Sequence, residues 1–405
     1  MAHGGNTART PVPEPLRLDE GSGAHAPEAS GNAGRLRMHL HTWRPIYLAV
    51  LLSRLLVFVV GFGAEAFMRV TGADPARWRP FAFAETFPHY ADVAANGYTL
   101  ANAFNHPLLP ALMAGGKTIG IPFWLTGMLV SNLAFVGGLV LLTMIGERYV
   151  GTEATIRAAT YLALAPFGYW FSVTSTEGLM LVLMAASAWF ALRATPGAWL
   201  AAGGFAALAV LTRPPGVLLG LLLLCFAIGQ LRARQLRLPG IGAAVAAGMM
   251  IPAALLAFFA YMSSRTGDAL ASLHAQKDFN REVTLDGPLR ALSSGISNAL
   301  GGSVGQAIEV VATFGAAALL VLFAVNAVGD RWEVRGWVTF GVASLMMPLA
   351  TGVLWQMPRF ALLIPPVFWM LGALGERRWL HRALLVLFPV ALVVKVAAAV
   401  VGVEG

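Results

Sequence analysis

One stretch of the sequence, FAETFPHYADVAANGYTLANAFNHPLLPAL at 83–112, concentrates side chains that can do chemistry. Its ionisable, amide and phenolic residues are Glu85, His89, Tyr90, Asp92, Asn96, Tyr98, Asn105 and His106. A carboxylate beside an acceptor hydroxyl can serve as a general base. The tyrosine rings offer faces on which a sugar or an isoprenoid chain can lie. We therefore treat this stretch as the first candidate for a functional site.

The surrounding sequence is that of a membrane protein. Hydrophobic residues make up 57% of the chain, charged residues only 12%, and the mean hydropathy is +0.69. Apolar runs approach or reach the ~20 residues needed to cross a bilayer. The fold class predicted is all-α, a polytopic integral membrane protein with about eleven transmembrane helices. The predicted spans are 46–66, 122–145, 154–172, 177–193, 197–212, 215–231, 240–262, 308–328, 334–352, 358–374 and 380–402.

Basic residues between these runs set the predicted orientation. Arginines before the first span and in the segments 232–237, 330–335 and 376–382 fall on one side, which the positive-inside rule assigns to the cytoplasm. This gives a multi-pass protein of the cell membrane with a disordered cytoplasmic N-terminal tail at 1–45 and a transmembrane domain at 46–405. Outer loops are predicted at 67–121 and 263–307. The arginine-rich loops on the predicted cytoplasmic side face the anionic leaflet of the membrane, and they explain the net charge of +8. No nucleic acid partner is therefore expected.

The same alternation brings charged residues from separate loops to the outer face. Glu177 opens the fourth span, Arg213 lies in LTRPPG at 211–216, and Arg359 lies in MPRF at 357–360. A charge at a helix end can simply snorkel to the interface. Carboxylates and arginines converging from several segments favour a site instead. Because the guanidinium fork matches phosphate oxygens, the predicted chemistry is transfer from a lipid-linked phosphate donor.

Other classes of site find little support in the sequence. No HxxxH or DxD spacing is present, so no metal site and no cofactor are predicted, and the need for a divalent ion stays open. A glycine-rich nucleotide loop is absent from the sequence as well. The lone Cys225 cannot form an internal disulfide. A secondary transporter would need ionisable residues near mid-membrane; Arg54 and Lys395 are the candidates, but both lie close enough to span ends to snorkel.

A family resemblance accompanies these residues. His89-Tyr90, Ala94 and Gly97-Tyr98 form the pattern HYxxxAxxGY, which resembles the first outer loop of the PIG-V-type mannosyltransferases. That family belongs to the GT-C class of glycosyltransferases, which use polyprenyl-phosphate sugars. Further stretches resemble the family in the same order: LLSRLL (51–56), NHPLLP (105–110), APFGYWFSVTSTEGLML (165–181), LTRPPG (211–216) and MPRFALLIPP (357–366). The resemblance thus covers nearly the whole chain after residue 45.

The sequence departs from that family at its catalytic position. The family's first outer loop reads RWDxxHY or WDxxWY, and its aspartate is the expected catalytic carboxylate. Here Thr86 occupies the aspartate position and Glu85 the preceding one. A threonine is a poor base near neutral pH, so either Glu85 or Asp92 has taken the role, or sugar transfer in the family manner has been lost.

The resemblance implies a membrane glycosyltransferase that transfers a sugar, plausibly mannose, from a polyprenyl-phosphate donor to an unknown acceptor at the outer face. Glu85 and Asp92 are the catalytic candidates. The residues expected to bind or shape the substrate site are His89, Tyr90, Tyr98, His106, Glu177, Arg213 and Arg359. The alternative is a non-catalytic relative that binds a lipid carrier or scaffolds a partner membrane protein.

Overall fold

The computed structural model describes residues 42–73, 80–81, 87–277 and 281–402. The chain divides between Trp43 and Arg44, and the helices named below belong to the second unit. The predicted tail at 1–45 falls almost wholly outside the described residues, as do Glu85 and Thr86.

Helices and short 3₁₀ turns build the described chain, which contains no β-strand. In chain order the helices are α1 (Arg44–Val70), α2 (Phe87–Asn96), α3 (Leu108–Thr118), α4 (Phe123–Val150), α5 (Thr152–Leu164), α6 (Glu177–Ala191), α7 (Pro196–Val210), α8 (Leu219–Arg232), α9 (Leu238–Thr266), α10 (Ala271–His274), α11 (Gly287–Leu300), α12 (Val304–Asn326), α13 (Arg331–Leu349), α14 (Met357–Ala361), α15 (Pro365–Leu374) and α16 (Arg378–Val401). The predicted all-α membrane class is confirmed.

Six helical segments of the described chain are long and apolar enough to cross a membrane: Arg44–Val70, Phe123–Val150, Pro214–Arg232, Leu238–Thr266, Val304–Asn326 and Arg378–Val401. Three shorter apolar helices are α6, α7 and α15. Each predicted span falls on one helix, on a helix joined to a 3₁₀ turn, or, at 358–374, on two consecutive helices. The other predicted spans fall on helices that are shorter or more polar than these six, so the total of about eleven crossings stays a prediction.

Prolines explain where the observed helices differ from the predicted spans. The predicted span at 358–374 is two helices, α14 and α15, because Pro365 and Pro366 have no N–H to continue the first one. The predicted span at 154–172 changes at Pro166 from α5 to a 3₁₀ turn, Pro166–Phe171. At 211–213 the chain leaves α7 and enters a second 3₁₀ turn, Pro214–Leu218. These interruptions lie beside the candidate site residues.

Small residues allow the membrane helices to pack closely. A Cβ at Gly203 on α7 would lie 2.5 Å from the Cα of Ala247 on α9. A Cβ at Gly178 on α6 would lie 2.3 Å from the carbonyl oxygen of Ser131 on α4. Close backbone approach of this kind stabilises helix pairs in lipid. It fixes α6, which starts at Glu177, firmly against α4.

Candidate functional site

Glu177 lies at the centre of the site. It is the first residue of α6 and its side chain is fully buried, with 0% exposure. The preceding turn is tied to α4, because Ser131 donates its hydroxyl to the Ser175 carbonyl at 2.9 Å and accepts the Ser175 N–H at 3.1 Å. A carboxylate at a helix N-terminus also gains from the helix dipole. The fold therefore holds one negative charge at a fixed point inside the protein.

Two arginines from different parts of the chain share that charge. Arg213 follows the end of α7, and Arg359 lies on α14; both are buried. Nη1 of Arg213 and Nε of Arg359 donate to the same oxygen of Glu177, Oε1. The other oxygen, Oε2, is buried without a hydrogen-bond partner in the described chain. The three residues that the sequence assigned to one outer site are thus brought together.

Aromatic rings flank both guanidinium groups. The Arg359 guanidinium carbon lies 3.6 Å from the ring centroid of Trp170. The Arg213 guanidinium carbon lies 5.5 Å from the ring centroid of Phe360. Contacts of this kind stabilise a cation that has lost its water.

A third arginine lies near this pair. The Arg281 guanidinium carbon is 4.8 Å from the Trp355 ring centroid, and Nη1 is 3.3 Å from the side-chain oxygen of Gln276. Partial burial lowers the pKa of Arg281, and the positive charges of Arg359 and Arg213 lower it further. Arg213 and Arg359 both pair with the single carboxylate of Glu177, so these three residues together carry an excess of one positive charge. Such a cluster can bind an anion.

Arg359 is positioned by a carboxylate that no sequence motif marks. Glu309, on α12, accepts the N–H of Gln356 at 2.9 Å and the N–H of Met357 at 2.6 Å. Gln356 adopts the left-handed conformation, with φ 60°, and its side-chain oxygen accepts from Nη1 of Arg359 at 3.1 Å. Glu309 thus caps the short helix that carries Arg359. An acidic residue inside the predicted span 308–328 was the available signal.

Tyr90 connects the opening stretch to the site. It lies on α2, is buried, and its hydroxyl is 3.4 Å from the hydroxyl of Thr176, the residue before Glu177. Burial raises the pKa of Tyr90, with the nearby Glu177 adding to the rise. The neighbouring His89 is exposed, and its ring meets Phe104 edge-on with centroids 5.2 Å apart. Of this predicted pair, Tyr90 is the residue that faces the cluster.

Asp92 faces a different side of α2 from Tyr90, since two residues along a helix turn through about 200°. It is exposed and accepts from the side-chain amides of Asn96 at 2.8 Å and Asn102 at 2.7 Å. These hydrogen bonds lower the pKa of Asp92. A carboxylate with a lowered pKa is a weaker base. The first catalytic candidate, Glu85, lies outside the described residues.

His106 and Tyr98 hold the segment between α2 and α3 in place. The buried His106 donates from Nδ1 to the Val210 carbonyl at 2.7 Å, and the Leu108 N–H donates to the Leu211 carbonyl at 2.9 Å. Burial lowers the pKa of His106 to about 4. Tyr98 donates its hydroxyl to the Asn105 carbonyl at 2.9 Å. Both side chains bond to the backbone, and His106 bonds next to the turn that carries Arg213.

Comparison with known proteins gives the fold a class. The structure resembles the crystal structure of ArnT from Cupriavidus metallidurans bound to undecaprenyl phosphate, with 13% identity, a TM-score of 0.54, and coverage of 88% of this chain and 76% of that chain. The chain has a GT-C membrane fold. It also matches the oligosaccharyltransferase AglB from Archaeoglobus fulgidus, in complex with an inhibitory peptide and a dolichol-phosphate, at 12% identity and a TM-score of 0.48, covering 90% of this chain and 55% of that one.

A family model, described as dolichyl-phosphate-mannose-protein mannosyltransferase, matches residues 105–262 of this chain. That range includes Glu177 and Arg213 but not Arg359. A comparison with curated protein sequences gives no match. The GT-C part of the predicted family is therefore supported, whereas the PIG-V type stays a prediction.

Proposed function

We propose that the protein is a membrane glycosyltransferase that takes a sugar from a polyprenyl-phosphate donor. The observation that carries the proposal is the convergence of Arg213 and Arg359 on Glu177 within a GT-C fold. ArnT, which has a similar fold, was crystallised with undecaprenyl phosphate. By analogy, the cluster of arginines in this chain binds the phosphate of the lipid-linked donor.

Charge balance explains how the site would accept that phosphate. Glu177 neutralises one of the two guanidinium groups that it pairs with, which leaves an excess of one positive charge toward a phosphate. Arg213 and Arg359 each keep N–H groups beyond the one given to Glu177. These donors would bind the phosphate oxygens as the sugar departs, and the nearby positive charge of Arg281 would add to the attraction.

The finer parts of the proposal rest on the sequence. Mannose is the proposed sugar, because of the family resemblance and the description of the matching family model. The proposed acceptor site is at the outer face, beside Tyr90 on α2. Glu85 is the proposed general base, being the carboxylate nearest in sequence to the position held by Thr86. The donor, the acceptor and the bilayer are then the partners of the protein.

A non-catalytic relative that binds the lipid carrier or scaffolds a partner membrane protein is the second candidate. Two observations favour it: Thr86 replaces the expected catalytic aspartate, and Asp92 is engaged by Asn96 and Asn102. Such a protein would keep the arginine cluster and still bind a polyprenyl phosphate. It would transfer no sugar.

The deciding experiment follows transfer of labelled sugar from polyprenyl-phosphate mannose, and from other donors, by purified protein supplied with a panel of acceptors. General bases typically contribute roughly 10²–10⁴ in rate, so Glu85→Gln should remove most turnover while leaving donor binding nearly intact. Asp92→Asn is the matched control and should retain most activity. Turnover that survives the double variant Glu85→Gln/Asp92→Asn would refute the carboxylate assignment. Donor binding without turnover in the wild type would select the non-catalytic candidate, and Thr86→Asp would then test whether restoring the family residue creates activity.

A further inference from the structure

A second site lies at the opposite end of the protein from Glu177. A cleft of about 640 Å³ opens between the first turns of α1 and α16 and one side of α5. Leu48, Leu52, Leu164 and Leu385 line its apolar part. Its polar part is formed by Arg157, Glu376, Arg378, His381 and Arg382. We call this feature the basic cleft.

The two sites are separated along the same helices. The apolar cluster around Trp170, whose ring contacts Arg359, is packed by the later turns of α1 and α16, including Val57 and Leu392. The basic cleft uses the earlier turns of both helices, from Pro45 to Leu52 and from Arg378 to Leu385. The basic cleft therefore faces the side predicted to be cytoplasmic, and the arginine cluster the other side.

The charges in the basic cleft are poorly compensated. Within the described residues, the side chains of Arg378 and Arg382 make no hydrogen bond or ion pair. Arg157 donates from Nε to the Gly372 carbonyl at 2.8 Å and lies 3.6 Å from the exposed carboxylate of Glu153. Of the lining residues, Glu376 is the acidic one, against three arginines. The cleft thus has a net positive charge.

The helix dipole adds to this potential. Arg378 is the first residue of α16 and Arg382 follows one turn later, and the first turn contains no acidic side chain. A helix N-terminus carries a partial positive charge, so arginines there are disfavoured unless an anion is near. His381 is already engaged, since its Nδ1 lies 2.7 Å from the hydroxyl of Tyr161. The two arginines are therefore the groups available for an external anion.

We propose that the basic cleft binds the head group of an anionic phospholipid. The phosphate would lie against Arg157, Arg378 and Arg382, and an acyl chain would follow the leucine-lined wall toward the bilayer. Two of the three helices that border the cleft, α1 and α16, are long enough to span a membrane, so lipid reaches the cleft directly. Basic pockets between membrane helices on the cytoplasmic side commonly bind anionic lipid head groups. A zwitterionic lipid would bring a positive group that the arginines repel.

The test measures lipid binding to the purified full-length protein by native mass spectrometry. Phosphatidylglycerol and phosphatidylcholine with identical acyl chains are compared, for the wild type and for Arg378→Gln/Arg382→Gln. Each basic residue near an anionic lipid contributes about fivefold in affinity, so the double variant should lose roughly 30-fold in phosphatidylglycerol affinity. Phosphatidylcholine binding should not change. The matched control is Arg234→Gln/Arg331→Gln, which removes two exposed arginines from the same predicted face outside the cleft.

Three results would overturn the proposal. The first is equal phosphatidylglycerol affinity in the wild type and in Arg378→Gln/Arg382→Gln. The second is a loss of phosphatidylglycerol affinity in the control variant as large as the loss in the cleft variant. Competition by millimolar inorganic phosphate as effective as that of the lipid would assign a free-anion site instead. Polyprenyl phosphate serves as a further probe, and its affinity should be unchanged in Arg378→Gln/Arg382→Gln. If its affinity falls as much as that of phosphatidylglycerol, the cleft binds the lipid-linked donor instead. An unchanged thermal midpoint shows that the cleft variant is folded.

Discussion

Arg213 and Arg359 donate to a single oxygen atom, Oε1 of the buried Glu177. In the proposed function this ion cluster is the phosphate site, and Glu177 holds the two guanidinium groups in place before the donor binds. Removing one member of such a set leaves an unpaired buried charge, which is costlier than the pair itself is favourable. A loss of donor binding is therefore informative only in a variant that leaves the Glu177 ion pairs intact or is shown to be folded.

Glu177→Gln is expected to destabilise the protein by about 3–5 kcal/mol, because Arg213 and Arg359 lose their buried counter-charge. The measurement is thermal or denaturant unfolding of the purified protein in detergent. Glu153→Gln is the control: its side chain is 90% exposed and pairs with Arg157 only at the surface. That change should cost no more than about 0.5 kcal/mol. Equal stability of the two variants would contradict the buried ion cluster.

Glu309→Gln should weaken donor binding without removing any group that touches the donor. The amide replaces one acceptor oxygen with a donor, so it cannot accept from both Gln356 and Met357, and α14 with Arg359 becomes less ordered. We expect a loss of about tenfold in polyprenyl-phosphate affinity, from one weakened charge-assisted hydrogen bond.

The control for Glu309→Gln is Glu333→Gln. Glu333 is also a partly buried glutamate on a helix, but it accepts from Arg148 and Tyr149. The substitution Glu333→Gln should lower the stability of the protein and leave its affinity for the donor unchanged. If both variants bind the donor as the wild type does, Glu309 does not position Arg359.

Sequence reasoning could place Glu177, Arg213 and Arg359 on one face because each lies at the end of an apolar run. It could not show that they share one oxygen atom, which depends on how α6, α7 and α14 are turned about their axes. The separation of Tyr90 from Asp92 was within reach, since Pro88 in the first turn is typical of a helix start and helical spacing puts the two on different faces. Glu309 was missed because no motif marks it and its partners are backbone amides distant in sequence.

His106 makes stability depend on pH. Its pKa is lowered to about 4 in the folded protein, below the value of about 6.5 expected when unfolded. Between these values the unfolded chain binds more protons, so stability is complete above about pH 6.5 and falls as the pH decreases toward 4. The loss between pH 7 and pH 5 should be about 2 kcal/mol.

His106→Asn tests this dependence, because the asparagine amide can still donate to the Val210 carbonyl but does not titrate. Its unfolding midpoint should change less between pH 7 and pH 5 than that of the wild type. The exposed His89→Asn is the matched control and should keep the wild-type slope. Identical slopes in all three proteins would contradict a buried neutral His106.

The predicted orientation can be tested by single-cysteine labelling in a Cys225→Ser background. Asn96→Cys, on the exposed side of α2, should react with an impermeant reagent in intact cells. Arg234→Cys, in the loop between α8 and α9, should react only after the membrane is disrupted. The reverse pattern would place the arginine cluster at the cytoplasmic face and refute the outer-face assignment.

Binding of polyprenyl phosphate to the purified protein tests the central claim most directly. Arg281→Gln is the most informative variant, because Arg281 contributes charge to the cluster while the Glu177 ion pairs are formed by Arg213 and Arg359 and remain in place. It should lower affinity by about 1.5–3 kcal/mol, or roughly 10- to 150-fold, while Arg265→Gln, an exposed arginine at the end of α9, should leave affinity unchanged. Arg213→Lys and Arg359→Lys should bind more weakly than the wild type, since lysine lacks the planar fork. If Arg281→Gln, Arg213→Lys and Arg359→Lys are each folded and each bind with wild-type affinity, that result would contradict a phosphate site at Glu177.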